Sequence, residues 1–206
     1  MKAVLMSIKP RWCELIASGK KTVEVRKTKP KLEVPFKVYI YETKDNRYEN
    51  ICVCGWKEDG TKYIFKNHCG KVIGEFVCDR VGYVRNYGDA VDLYDCIASC
   101  LSAKEIIEYA TDKNGNFIYT YGWHISNLVI YDKPRELGEF YTPEWFRDCE
   151  KQCDDMERMR CPTKDSQKVD KMCGWCRRGG KPITRPPQSW MYCEEVMRWN
   201  LTESKS

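Results

Sequence analysis

Gly19-Lys20-Lys21-Thr22-Val23-Glu24-Val25-Arg26 is the stretch that decides the fold of this chain. Upstream of it, Lys9-Pro10-Arg11-Trp12-Cys13-Glu14-Leu15-Ile16-Ala17-Ser18 reads as a short helix. Pro10 suits the first helical position, where a missing N–H costs nothing. Trp12, Leu15 and Ile16 fall on one helical face, and Gly19 suits the left-handed C-terminal cap. Downstream the pattern switches to a strand. Thr22, Glu24 and Arg26 point one way, and Val23 and Val25 the other. A helix end therefore delivers Lys21 to the start of a strand whose polar face carries Glu24 and Arg26. That predicts a polar site beside an apolar sheet.

Further strands follow. Phe36, Val38 and Ile40 alternate with Lys37, Tyr39 and Tyr41, the pattern of a half-buried strand. Residues 43–71 read as an excursion, with Asp59-Gly60 predicting a hairpin turn between Trp56 and Tyr63-Ile64-Phe65. Val72 to Arg80 is a further strand. Ser102-Ala103-Lys104-Glu105 is a capping box that starts a second helix through Ile106, Ile107 and Ala110. Asn114-Gly115 then turns the chain into an aromatic and branched run from Phe117 to Ile130. Many short strands with two short helices predict a mixed α+β barrel.

After Pro134 the character changes. Thr142-Pro143 predicts a helix through Trp145, Phe146, Cys149, Cys153 and Met156. Arg185-Pro186-Pro187 imposes an extended path, and Trp190 and Tyr192 are expected to dock on the barrel. The expected division is a small barrel over residues 1–135 and a Cys-rich C-terminal appendage, helical and irregular, over residues 136–206.

Composition excludes several classes. A net charge of +5 over 206 residues is not that of a polycation, and an apolar fraction of 42% supports a real core. The charge is uneven, however. From Gly19 to Lys37 the chain carries Lys20, Lys21, Arg26, Lys27, Lys29, Lys31 and Lys37 against Glu24 and Glu33, an excess that attracts phosphate. Ala3 to Ile8 is too short for a signal-peptide core, and no run approaches the ~20 apolar residues of a membrane span. The expectation is a cytoplasmic protein without a membrane partner, whose 13 cysteines are reduced.

The spacing Gly19-x-Lys21-x-x-Glu24-x-Arg26 resembles the signature of the ASCH domain, a small barrel related to PUA domains. Met6-Ser7-Ile8-Lys9-Pro10 resembles that family's first strand and its exit. Gly70-Lys71-Val72-Ile73-Gly74-Glu75-Phe76 resembles a central strand, and Tyr121-Gly122-Trp123-His124-Ile125-Ser126-Asn127-Leu128 the closing one. The C-terminal tail resembles those of phage- and prophage-encoded members. The resemblance implies a PUA-like barrel that handles RNA or nucleosides. Some members that share the lysine hydrolyse acylated cytidine nucleosides, with a threonine where this chain has Glu24. Others cleave or bind single-stranded RNA.

Three constellations could carry chemistry. In the first, Arg26 holds phosphate by a fork or Lys21 as a point charge, and Glu24 binds an amine or acts as a general base. A nucleophilic Lys21 must shed a proton that Glu24 helps to hold. The structural alternative is a Lys–Glu–Arg network pinning the helix to the barrel. In the second, Trp12, Tyr121, Trp123 and Tyr39 or Tyr41 stack on bases beside the basic groups, unless they are core. His124 is a candidate acid or base, or a structural hydrogen-bonder.

The third is cysteine. Cys173-Gly174-Trp175-Cys176, joined by Cys153 and Cys161, is a candidate structural zinc site. Cys149 and Cys153, spaced i, i+4, could instead bury as small hydrophobes. Cys52, Cys54, His68 and Cys69 are a weaker metal set. The candidate binding residues are thus Ser7, Lys9, Trp12, Lys21, Arg26, Trp123 and His124, with Lys21 and Glu24 catalytic if the protein is an enzyme. The leading expectation is binding of single-stranded RNA or a modified nucleoside. The alternatives are a hydrolase acting on an acylated nucleoside or RNA, and a phage-encoded accessory protein that binds a host protein.

Overall fold

The computed structural model describes residues 2–85, 90–143 and 180–196, and the backbone of 145, 146, 177 and 178. The chain starts with β1 (Lys2–Ile8), α1 (Pro10–Ala17), β2 (Val23–Arg26) and β3 (Phe36–Glu42). A hairpin of β4 (Cys52–Trp56) and β5 (Lys62–Lys66) follows, then β6 (Val72–Cys78) and β7 (Val81–Tyr83). Helices α2 (Leu93–Ser99) and α3 (Ala103–Tyr109) lead to β8 (Tyr121–His124) and β9 (Ser126–Arg135). Short strands β10 (Trp145–Phe146) and β11 (Arg177–Arg178) precede β12 (Trp190–Glu194).

Local sequence explains the elements that place the cleft. Pro10 opens α1, and Gly19 takes the left-handed conformation at φ +78° just beyond its end. Ser102 and Glu105 form the reciprocal capping box at the start of α3. Asp92 caps α2 by accepting the Tyr94 N–H. Gly60 and Gly115 supply the positive φ of their turns. Gly74 meets a different demand, because a Cβ there would lie 2.4 Å from the Val129 carbonyl oxygen on β9.

The strands form a five-stranded sheet in the order β12-β1-β3-β6-β9 and a three-stranded sheet in the order β2-β8-β7. The larger sheet is mixed, with β1 and β3 parallel and the other pairs antiparallel. The chain crosses between the two sheets four times: through α1 between β1 and β2, through residues 27–35 between β2 and β3, at Asp79-Arg80 between β6 and β7, and at Ile125 between β8 and β9. The architecture is therefore α+β, as expected. Among the described residues the barrel is not closed, however. The outer edge of β1 is occupied by β12, so the two sheets meet through their shared strand corners rather than through a continuous ladder.

Both faces of the larger sheet are covered. Val4, Met6, Ile8, Val38, Ile40 and Phe76 pack with α1 and Trp123 on one side. Ala3, Leu5, Tyr39 and Tyr41 pack with Phe140, Ile183 and Cys193 on the other. Each such fully buried large side chain contributes about 1.5–3 kcal/mol relative to exposure. The second layer corrects the reading of β3 as half-buried. Tyr39 meets the Phe140 ring at 4.9 Å, and its hydroxyl accepts the Val196 N–H. Tyr39 and Tyr41 are thus core residues and unavailable to a base. A second correction falls at Trp145 and Phe146, expected in a helix. They pair as a strand with Arg178 and Arg177, and the rest of that predicted helix lies outside the described residues.

One buried charge has a pH consequence. Glu42 ends β3 fully buried, and one carboxylate oxygen accepts the His68 N–H while the other has no partner among the described residues. Burial pushes the carboxyl from 4.5 to about 7, against the pull of that N–H. The folded state therefore retains a proton that the unfolded chain releases. Stability falls as pH rises from about 4.5 to about 7 and then levels off. Glu42→Gln removes this loss, so its advantage over wild type should grow by ~3 kcal/mol across that window. Urea midpoints measured across the same pH range check this, and a constant difference would contradict it.

Candidate nucleotide-binding cleft

A cleft of about 620 Å³ opens where β1, α1 and β2 converge. Ser7, Ile8 and Lys9 at the exit of β1 form one wall, and Trp12 of α1 stands beside them. Lys21, Glu24, Val25 and Arg26 contribute from the turn and β2. Leu101, Glu105 and Tyr109 come from α3 and the residues before it, and Thr43, Gln188 and Ser189 complete the lining. Of the residues nominated from sequence, Ser7, Lys9, Trp12, Lys21, Glu24 and Arg26 are brought together here.

Glu24 stands between the two cations. Its Oε2 lies 3.3 Å from Lys21 Nζ and its Oε1 3.1 Å from Arg26 Nη2. Lys21, Glu24 and Arg26 are 2%, 6% and 8% exposed, so this is a buried triad rather than a screened surface pair. Lys21 Nζ also donates to the Ser99 carbonyl at 2.6 Å. Arg26 Nη2 donates to the Ser7 carbonyl at 2.6 Å, and Nη1 to Ser189 Oγ at 3.3 Å. The β2 strand is thereby tied to α2, to β1 and to the C-terminal segment through one charged cluster.

The C-terminal segment is held there by Ser7. Its hydroxyl donates to the Pro187 carbonyl at 2.6 Å, and its N–H to the Ser189 carbonyl at 2.9 Å. Sequence reasoning missed Gln188 and Ser189 as lining residues, because they meet β1 from the far end of the chain. It also missed α2, whose Ser99 carbonyl receives Lys21. The Asp92 N-cap was the available signal. Tyr109 and Glu105 lie on the helix that was predicted, but nothing in its pattern pointed them at Lys21.

Besides Tyr109, the cleft offers Trp12 as an aromatic surface. Lys21 Nζ and Arg11 Cζ lie 5.1 and 4.7 Å from its ring. Lys9, Lys21 and Arg26 face Glu24 and Glu105, a small local excess of positive charge. Hydrogen bonds led by the Ser102 backbone N–H hold the Glu105 carboxyl below its usual range. The arrangement suits a flat ring against Trp12 with a polar or anionic group near the cations.

Trp123 and His124 are not brought to the cleft. Trp123 is fully buried between the sheets, 5.6 Å from the rings of both Phe36 and Trp190. Its strand face is the one that carries Glu24, but its position against Phe36 places it in the core. His124 points to the opposite side of β8, where Nδ1 lies 2.6 Å from Asp79 Oδ1. That hydrogen bond lowers the Asp79 carboxyl. The proposed zinc ligands Cys153, Cys161, Cys173 and Cys176, and Cys149 with them, lie outside the described residues. Among the described residues no group of three or more His, Cys, Asp or Glu side chains is placed to hold a metal ion. Among them, too, no helix is long and apolar enough to cross a membrane.

The family model of the ASCH domain matches residues 6–91. A crystal structure of ASCH from Zymomonas mobilis is similar to the chain at 16% identity, covering 92% of this chain and 86% of that one, with a TM-score of 0.48. A crystal structure of a mutant of the Zymomonas mobilis protein is similar at 19% identity over 66% of this chain and 77% of that one, with a TM-score of 0.44. A search of curated proteins finds no match.

Proposed function

We propose that the protein binds single-stranded RNA, or a modified nucleoside, in the cleft between α1 and the sheets, as a PUA-like ASCH domain. The observation that carries this reading is the convergence of Trp12 with Lys9, Lys21 and Arg26 around one cavity of about 620 Å³. That volume suits a nucleoside-sized ligand, within the common range of small-molecule sites. In this reading the base lies on Trp12, and Lys9 meets phosphate at the mouth. The buried triad is the rigid floor.

Titration of a single-stranded RNA at two salt concentrations tests it. Affinity should fall steeply with salt, because lysine contacts to phosphate release counterions. Lys9→Ala should reduce the salt slope by about one. Trp12→Ala should cost ~1–3 kcal/mol at either concentration. Binding indifferent to both substitutions would refute the cleft.

The hydrolase reading draws on the contact between Lys21 and Glu24 on the cleft floor. Against it, Lys21 is already committed as a donor to Ser99 and as an ion-pair partner of Glu24. A screen of acylated nucleosides separates the readings, since only a hydrolase turns one over and loses that turnover in Lys21→Met. Absence of both turnover and RNA binding would leave the accessory role, with a host protein as partner.

A further inference from the structure

We propose that the exposed aromatic row running from the cleft along the three-stranded sheet is a stacking platform for the bases of a single-stranded RNA. This rests on the cleft-binding reading above and extends it from one anchored nucleotide to a strand. Arg26, Tyr121 and Tyr83 stand directly opposite one another across β2, β8 and β7. Their side chains therefore share one face of the sheet. Arg26 belongs to the cleft, so the row begins where the cleft ends.

The rings continue without a gap. The Tyr83 centroid lies 5.0 Å from Tyr121 and 5.6 Å from Tyr119, and Phe117 lies 6.0 Å from Tyr119. Tyr83, Tyr119 and Phe117 are 59%, 70% and 48% exposed. Core packing explains Trp123 at the inner end of this face, but it does not explain large rings left in water at the outer end.

Charge selects the occupant. Lys29 Nζ lies 5.5 Å from the Tyr121 ring, and Lys27 Nζ lies 5.0 Å from Tyr109, which lines the cleft. Flat rings bordered by lysines match a ligand of flat bases joined by phosphates. Such stacking tolerates any base, because every base has a π face. The cleft would then anchor one nucleotide while the row supports its neighbours.

Anisotropy titrations of an adenylate dinucleotide and an adenylate octanucleotide test this. Wild type should bind the octanucleotide on the order of a hundredfold more tightly, at about tenfold for each of two rings engaged. Tyr83→Ala with Tyr119→Ala should keep the dinucleotide affinity and lose that gain. Tyr83→Leu with Tyr119→Leu, which keeps apolar bulk without a π face, should lose it as well. A gain that survives both variants would overturn the proposal. So would a wild type that binds the dinucleotide but gains nothing with length. Failure to bind either RNA would remove the cleft reading along with the platform. A wild-type dimer that the alanine variant dissolves, with no gain in length, would assign the rings to protein contact instead.

Discussion

Glu24→Ala should lower the stability of the protein by about 3–5 kcal/mol, among the largest single effects available in this chain. The carboxylate lies 3.3 Å from Lys21 Nζ and 3.1 Å from Arg26 Nη2, and all three side chains are buried. Removing it leaves two largely buried cations facing each other without the carboxylate between them. Such a loss corresponds to a fall in melting temperature of roughly 6–20 °C for a domain of this size. The comparison with Lys21→Met combined with Glu24→Leu is informative. That pair removes one charge of each sign and should restore part of the loss, because a buried ion pair is expensive to break but less so to replace. Urea midpoints at unchanged slope provide the measurement. A loss below about 1 kcal/mol for Glu24→Ala would place the triad in the class of exposed pairs.

Trp123→Ala is the second large effect, at about 3–5 kcal/mol. The ring is fully buried, meets Phe36 edge-on at 5.6 Å and lies 5.6 Å from Trp190. Its truncation opens a cavity between the two sheets and removes the surface on which β12 is seated. Since β12 covers the outer edge of β1, the C-terminal strand should loosen first. Hydrogen exchange at residues 190–194 reports this directly. The indole N–H has no partner among the described residues, so the cost is one of packing rather than of a lost hydrogen bond. At temperatures where the variant stays folded, its RNA affinity should be close to that of wild type. A large loss of affinity in a fully folded variant would return Trp123 to the binding surface.

These two residues mark where the sequence was readable and where it was not. The helix stop at Gly19 and the alternation of Thr22 to Arg26 are local signals. They predicted both the turn and the shared face of Glu24 and Arg26. The capping box at Ser102 and the turns at Asp59-Gly60 and Asn114-Gly115 were legible for the same reason. Period two also placed Tyr121 and Trp123 on one face, as observed. It carries no information on which end of that face the second sheet covers. Trp123 lies inside and Tyr121 toward the rim, a distinction made by Phe36 and Trp190, remote in sequence.

The same limit hid the burial of Tyr39 and Tyr41. Alternation in β3 suggested one wet face, but Phe140, Ile183 and Cys193 supply a second layer from beyond residue 135. Helix α2 escaped notice for another reason. Leu93, Tyr94 and Ile97 are 72%, 54% and 66% exposed, so its apolar residues do not trace an inward stripe. Its contribution to the cleft is a backbone carbonyl, Ser99, which no side-chain pattern reveals.

In the proposed function, RNA enters the cleft beside Trp12. Photo-crosslinking with a single-stranded RNA that carries thiouridine, followed by identification of the modified peptides, tests it most directly. The RNA should attach at Trp12 or Tyr109, the aromatic rings that line the cleft, and lose that attachment in high salt. Attachment confined to sites away from the cleft, such as exposed Trp56 on the β4–β5 hairpin, would contradict it.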